Sequence, residues 1–447
     1  MSSAPDVLEP DQQVEEGNTA GGPLPSSPYR PRTGGLVVVV GGLALVAASV
    51  ACCLPAALLI GLSGPGAQAA PAVQQIIALA ALGIGFGLAL AVEGWDAWQG
   101  RPARPFQPRR VWLLWAALPL LLALGVLASR FELTTTYLLP LVSMLAMALL
   151  PFLILTTVGR LLAGRGGTGR GGTRRDVVGG LLSGAMLGSG AAMAVEIGLA
   201  ALALVGAAAL GLLPDNLQVL AARLQELALS SDSGALLEFI TLPILLTVLF
   251  FLSIVVPLIE EATKGLGLFL SGLWLRPRPA QAFLLGVASG AGFALVENLL
   301  NSGLFGAALA EATVMRLAAT VMHCTASGLV GWGWGEWRTN RRPARLALAF
   351  ISAMAIHGLW NGLTIGVVAT GLLAEAQTGD PLRQTLAVLV VVALGAGMVA
   401  LFAAMLTGLL RGSRALARRE QTDELPRLGA DRQPPVGGGT GGADLAL

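Results

Sequence analysis

Two histidines, one lysine and the glutamates Glu260, Glu261 and Glu297 stand among the ionisable residues inside long apolar runs of this 447-residue chain, where charge is chemically costly. Glu260 and Glu261 are adjacent. Two carboxylates in a low-dielectric site cannot both ionise cheaply, so the pair is a natural mixed acid/base couple. Lys264 follows Glu260 by four residues and Glu261 by three, on one helix face. It is the only lysine among 28 Lys and Arg residues, which argues against a chance placement. Pro257, one turn earlier, has no N–H and frees a backbone carbonyl. Glu297 and Asn298 follow Phe293 in a stretch where Gly286, Gly290 and Gly292 permit close helix approach. His323 and His357 are the only histidines. Asn361 lies one turn beyond His357 on the same face, and Trp360 stands between them. A charge at bilayer depth costs about 2.5–3.5 kcal/mol on insertion scales, and the default reason for carrying several is function. Bland alternatives exist for each: an ion pair holding a kink at Pro257, an interhelical clasp at Glu297 and Asn298, and packing histidines.

These residues need apolar helices to position them. The chain is 55% hydrophobic and 12% charged, with a mean hydropathy of +0.74. That is about half the charge of a soluble domain and excludes a soluble enzyme, a disordered chain or a nucleic-acid binder. The expectation is an all-α, polytopic transmembrane helix bundle. Apolar runs fall at 36–60, 72–93, 111–129, 137–158, 177–213, 235–275, 281–300, 313–337, 346–372 and 385–411. A span needs about 20 residues, so this is about ten spans, or twelve if the two longest runs are tight pairs. Arg clusters at 101–110, 160–175, 276–278, 338–345 and 411–419 alternate with the loops 61–71, 214–234, 301–312 and 373–384, which together hold two Arg, Arg223 and Arg383. The positive-inside rule then puts both termini in the cytoplasm. All Trp except Trp360 flank the Arg-rich loops, as an interfacial belt does. The division expected is a disordered cytoplasmic tail (1–35), a four-span region without motifs (36–158), a membrane core bearing the motifs (177–411) and a second disordered tail (412–447). Cys52, Cys53 and Cys324 are expected as free thiols. At about 1.5 Å per residue, Glu260, Glu297, His323 and His357 all lie roughly 14–24 Å from the Arg-rich side, in one layer.

At these residues the chain resembles the PrsW family of intramembrane proteases, distant relatives of the CAAX prenyl proteases. The pattern EExxK, FxxxEN, a His and then HxxxD/N is matched by Glu260, Glu261 and Lys264, by Phe293, Glu297 and Asn298, by His323, and by His357 with Asn361. Arg316 matches an Arg that precedes the first His. The resemblance covers about 235–372. It implies hydrolysis of a peptide bond in a membrane-anchored protein, such as an anti-sigma factor, in a bacterial plasma membrane. Amide hydrolysis needs an activated water, a stabiliser for the oxyanion and an acid for the leaving amine. Glu260 or Glu261 would be the base, with His323 orienting the water and His357 and Asn361 stabilising the oxyanion; Lys264, Phe293, Glu297, Asn298 and Trp360 would support them. Alternatively His323 and His357 with Glu260 or Glu261 would hold zinc with an open fourth position. The chain lacks HExxH, and the metal-free glutamic form is preferred. The partners implied are the substrate protein and the lipid bilayer, with no nucleic acid. The rival class is a proton-coupled transporter using the same buried Glu, Lys and His. Its signature would be an internal repeat, and only a faint echo links 181–196, ending Val195-Glu196, with 283–297, ending Val296-Glu297.

Overall fold

The computed structural model describes residues 32–63, 69–163, 172–209, 242–271, 277–302, 309–376 and 380–430. Among these there is no strand. Helices α1 (Arg32–Ser63), α2 (Ala69–Trp98), α3 (Val111–Ala128) and α4 (Glu132–Ala163) precede the motif-bearing core. The core contains α5 (Arg174–Leu182), a π-helical turn (Ser183–Gly188) and α6 (Ser189–Ala209) as one continuous rod. Next come α7 (Leu242–Phe250), a second π turn (Phe251–Val255), α8 (Val256–Lys264) and α9 (Leu266–Ser271). Helices α10 (Pro279–Asn301), α11 (Leu309–Asn340), α12 (Pro343–Ala376) and α13 (Pro381–Ala430) complete it. The two long apolar runs are therefore interrupted single rods rather than helix pairs; their ends at 210–213 and 235–241, and the loop 214–234, lie outside the described residues.

Among the described residues, nine helical stretches are long and apolar enough to cross a membrane. Helix α11 is long enough but is not among them, because its middle is diluted by Thr320, His323, Thr325, Ser327 and several glycines. It packs between α10 and α12, so Thr320, His323, Thr325, Ser327 and Glu336 are buried against protein. Lipid-facing helices show the opposite pattern, with Leu43, Leu58, Ile197, Leu202, Leu386 and Val399 exposed; a fully hydrogen-bonded backbone with an apolar outer surface is what hydrocarbon tolerates.

The centre of the bundle is α10, buried along nearly its whole length. Its small residues make that possible. A Cβ on Gly290 would meet the His323 carbonyl carbon at 2.8 Å, so only glycine lets α11 lie this close. Arg-rich segments gather at one end. Arg174 N donates to Arg104 O (2.7 Å), Gln281 Nε2 to Asp176 Oδ2 (3.4 Å) and Thr339 Oγ1 to Pro277 O (3.4 Å); Arg278, Arg345 and Arg419 line one cavity.

One boundary is corrected. The tail expected from 412 is helical to Ala430. Leu416 and Ala417 are buried and Ser413 Oγ caps the Leu409 carbonyl at 2.6 Å, so an apolar stripe continues the helix past the charged residues. Helix α1 likewise begins at Arg32, inside the expected first tail. The remainder of both tails, 1–31 and 431–447, lies outside the described residues.

Candidate functional site

Four helices bring their polar residues together around one ammonium group. Lys264, at the end of α8, donates from Nζ to Glu260 Oε2 (2.9 Å), Glu261 Oε1 (2.8 Å) and His323 Nδ1 (2.8 Å). All three of its protons are thus engaged, and its side chain is 1% exposed. The Phe293 ring from α10 lies 4.2 Å from the same Nζ, adding a cation–π contact. An ammonium can only donate, so His323 Nδ1 accepts and the ring carries its proton on Nε2. That proton points to Glu297 Oε2 at 2.7 Å. Arg316 holds Glu297 by Nη1 at 3.1 Å and Asn298 Oδ1 by Nε at 2.7 Å. Asn298 in turn donates to Thr320 Oγ1 (3.1 Å) and to the Met147 carbonyl (3.2 Å), tying α10 to α11 and α4.

His357 approaches from α12. Its Nδ1 lies 2.9 Å from Glu261 Oε1, and its Nε2 is 3.7 Å from Glu260 Oε2. A carboxylate only accepts, so Nδ1 carries the proton and the neutral ring keeps its Nε2 lone pair on the Glu260 side. The two imidazoles meet edge to face, with centroids 5.2 Å apart. The acid pair divides its work by burial. Glu261 is inaccessible and anchors Lys264 and His357, whereas the Glu260 side chain is 13% exposed.

The structure therefore brings together Glu260, Glu261, Lys264, Phe293, Glu297, His323 and His357, with Asn298 one contact behind. Two expected members stand elsewhere. Asn361 Nδ2 donates to the Leu252 carbonyl at 2.8 Å. In the π register of residues 251–255 that carbonyl would bond the N–H five residues on, which Pro257 lacks; Asn361 repairs the break instead of facing the cluster. Gly358 allows this, since a Cβ there would run into the Ser253 carbonyl. Trp360 is buried in the apolar core with Met398 and Met405 and has no polar role in the cluster.

Glu196 of α6 was missed as a site residue. Its Oε1 is buried without a hydrogen-bond partner among the described residues, on a helix that packs against α8. Gly188, two turns earlier, packs on Lys264, with 3.3 Å from its would-be Cβ to the Lys264 Cα. The only sequence signal was the Val195-Glu196 echo of Val296-Glu297, read as a hint of repetition. Arg316 was visible as a motif match, but its grip on Glu297 was not.

Glu260, His323 and His357 each offer an atom within 4.8 Å of the others, a donor set of one carboxylate and two imidazoles. By type these donors fit a divalent metal with an open position. In this structure two of the three, Glu260 and His323, are already partners of the Lys264 ammonium. Glu261 is not part of the set, because its Oε1 is committed to Lys264 and His357.

No curated protein and no solved structure matches the chain. Residues 199–398 match the family described as PrsW family intramembrane metalloprotease. All four motif segments lie inside that match, and it lends no support to a transporter. Through residues 199–398 this multi-pass helix bundle, with these motifs in order, is similar to the PrsW family of intramembrane proteases.

Proposed function

We propose that this protease cuts a membrane-anchored protein, such as an anti-sigma factor, at the Glu260/His357 edge of the cluster, with Glu260 as the base. The observation that carries the reading is the pairing of two acceptors, Glu260 Oε2 and His357 Nε2, 3.7 Å apart on the accessible side of a buried ion-pair network. One water can donate to both at about 2.8 Å, which aims its lone pair away from them and toward a carbonyl carbon. Glu260 takes the water's proton and returns it to the leaving amine. Glu261 holds the His357 tautomer; Glu297 and Arg316 do the same for His323. The positive charge of Lys264 stands beside the developing oxyanion.

His323 Nδ1 accepts from Lys264 and its other nitrogen faces Glu297, so a metal would have to displace the ammonium, and on that ground we favour the metal-free glutamic form. A divalent metal, if bound, would be held by Glu260, His323 and His357 and would supply a Lewis acid and an acidified water.

The test is cleavage of a panel of single-pass proteins by the purified chain in liposomes, with Glu260→Gln as control. Glu260→Gln should insert normally and lose about 10²–10⁴-fold in rate, the range of a general base. Equal cleavage by both forms would overturn the assignment of Glu260, and no cleavage by wild type of any substrate would overturn the substrate class.

A further inference from the structure

Hydrolysis consumes one water per bond, and this site lies inside a helix bundle set in lipid. Two cavities bear on how water arrives. The first, about 10 Å³, touches Glu261, Lys264, Ser289 and Ser327. Glu261 Oε2 and Ser327 Oγ are both buried and have no hydrogen-bond partner among the described residues. Glu261 and Ser327 are 1% and 4% exposed, so bulk solvent does not serve them. Ser289 Oγ donates to the Lys264 carbonyl at 2.7 Å and retains acceptor capacity. A cavity of about 10–15 Å³ holds one water when two to four polar groups line it. This one has that volume and those groups.

The second cavity, about 240 Å³, runs from Arg175 and Asp176 at the Arg-rich end to Ser183. It shares Leu268 and Ser289 with the first. Ser183 Oγ is a further buried oxygen without a partner among the described residues. Arg175 and Ser183 are eight residues apart, so the cavity descends about 12 Å along the α5 rod. The π turn begins at Ser183 itself, and Gly267 leaves room for its hydroxyl: a Cβ there would run into Ser183. Buried polar oxygens recur along the line where a path would need them and end on the oxygen of Glu261 that the ion pair does not use.

We propose that Glu261, Ser289 and Ser327 bind a water beside the acid pair, and that the Ser183-lined cavity is the route by which water enters from the Arg-rich end. The hydration stands by itself; its purpose, supplying the hydrolytic site, rests on the function proposed above.

The test uses the full chain in lipid nanodiscs and X-ray hydroxyl-radical footprinting, where radicals form from water at the site and oxidise adjacent side chains. Leu268 and Val330 line the small cavity; Leu295 and Val142 are comparably buried but line neither. Leu268 and Val330 should be oxidised several-fold more than those controls. Ser183→Leu should bring both to the control level, and Ser327→Ala should lower Val330 alone. Oxidation of Leu268 and Val330 no greater than the controls, or unchanged in Ser183→Leu, would overturn the route. If Ser183→Leu does not insert, the wild-type comparison and Ser327→Ala decide. Labelling that persists in a chain which cuts no substrate would count against the protease assignment while leaving the water path intact.

Discussion

Replacing Lys264 by Met keeps the length and packing of the side chain but withdraws the charge on which Glu260, Glu261 and His323 converge at 2.8–2.9 Å. An exposed ion pair contributes about 0–1 kcal/mol. Here both the lysine and Glu261 are essentially inaccessible, and removing one partner of a buried pair costs about 3–5 kcal/mol because the other charge is left without compensation. Lys264→Met should therefore cost about 3–5 kcal/mol. Glu261→Gln leaves the ammonium with Glu260 and should cost less. The double variant should fall short of the sum by about 2–3 kcal/mol, the upper part of the range for contacting residues. The assay is reversible SDS-induced unfolding in mixed micelles, run as a double-mutant cycle. A Lys264→Met loss below about 1 kcal/mol, or an additive cycle, would refute the claim that this ammonium organises the site. Lys264→Arg keeps the charge but spreads it over a planar fork that cannot serve three converging acceptors; activity should fall severalfold with stability partly retained.

Asn361→Ala should cost about 1–3 kcal/mol by leaving the Leu252 carbonyl without a donor, while kcat of the folded protein stays unchanged; a fall of about 10²–10³ would instead restore an oxyanion role. Arg316→Gln releases Glu297, and kcat should drop about 10–100-fold, the usual cost of losing a group that orients a functional histidine; unchanged kcat would make the Arg316–Glu297–His323 chain purely structural. Chelation followed by elemental analysis should leave activity intact in metal-free protein, and stoichiometric metal lost together with activity would overturn the glutamic form. Reporter fusions at residues 30 and 430 should both give cytoplasmic signals, and opposite signals would break the even-span arrangement.

The membrane class and the helical content were legible in the residues because hydrocarbon penalises charge so heavily that every exception needs a reason. Glu260, Glu261, Lys264, Glu297, His323 and His357 were identifiable on that ground, with motif order as support. Hydropathy reports depth along a helix but not rotation about it. Asn361 shares a face with His357 by spacing, yet the missing N–H of Pro257 and the π turn before it set a different partner in reach. Glu196 lies outside the motifs and is brought beside α8 only because the α5–α6 rod packs there, at Gly188. The burial that separates Glu261 from Glu260, adjacent and identical in type, likewise follows from which helices close over each side chain. Composition and spacing determined what kind of protein this is. Helix rotation, set by glycine contacts and backbone breaks that couple distant segments, decided which polar atoms meet.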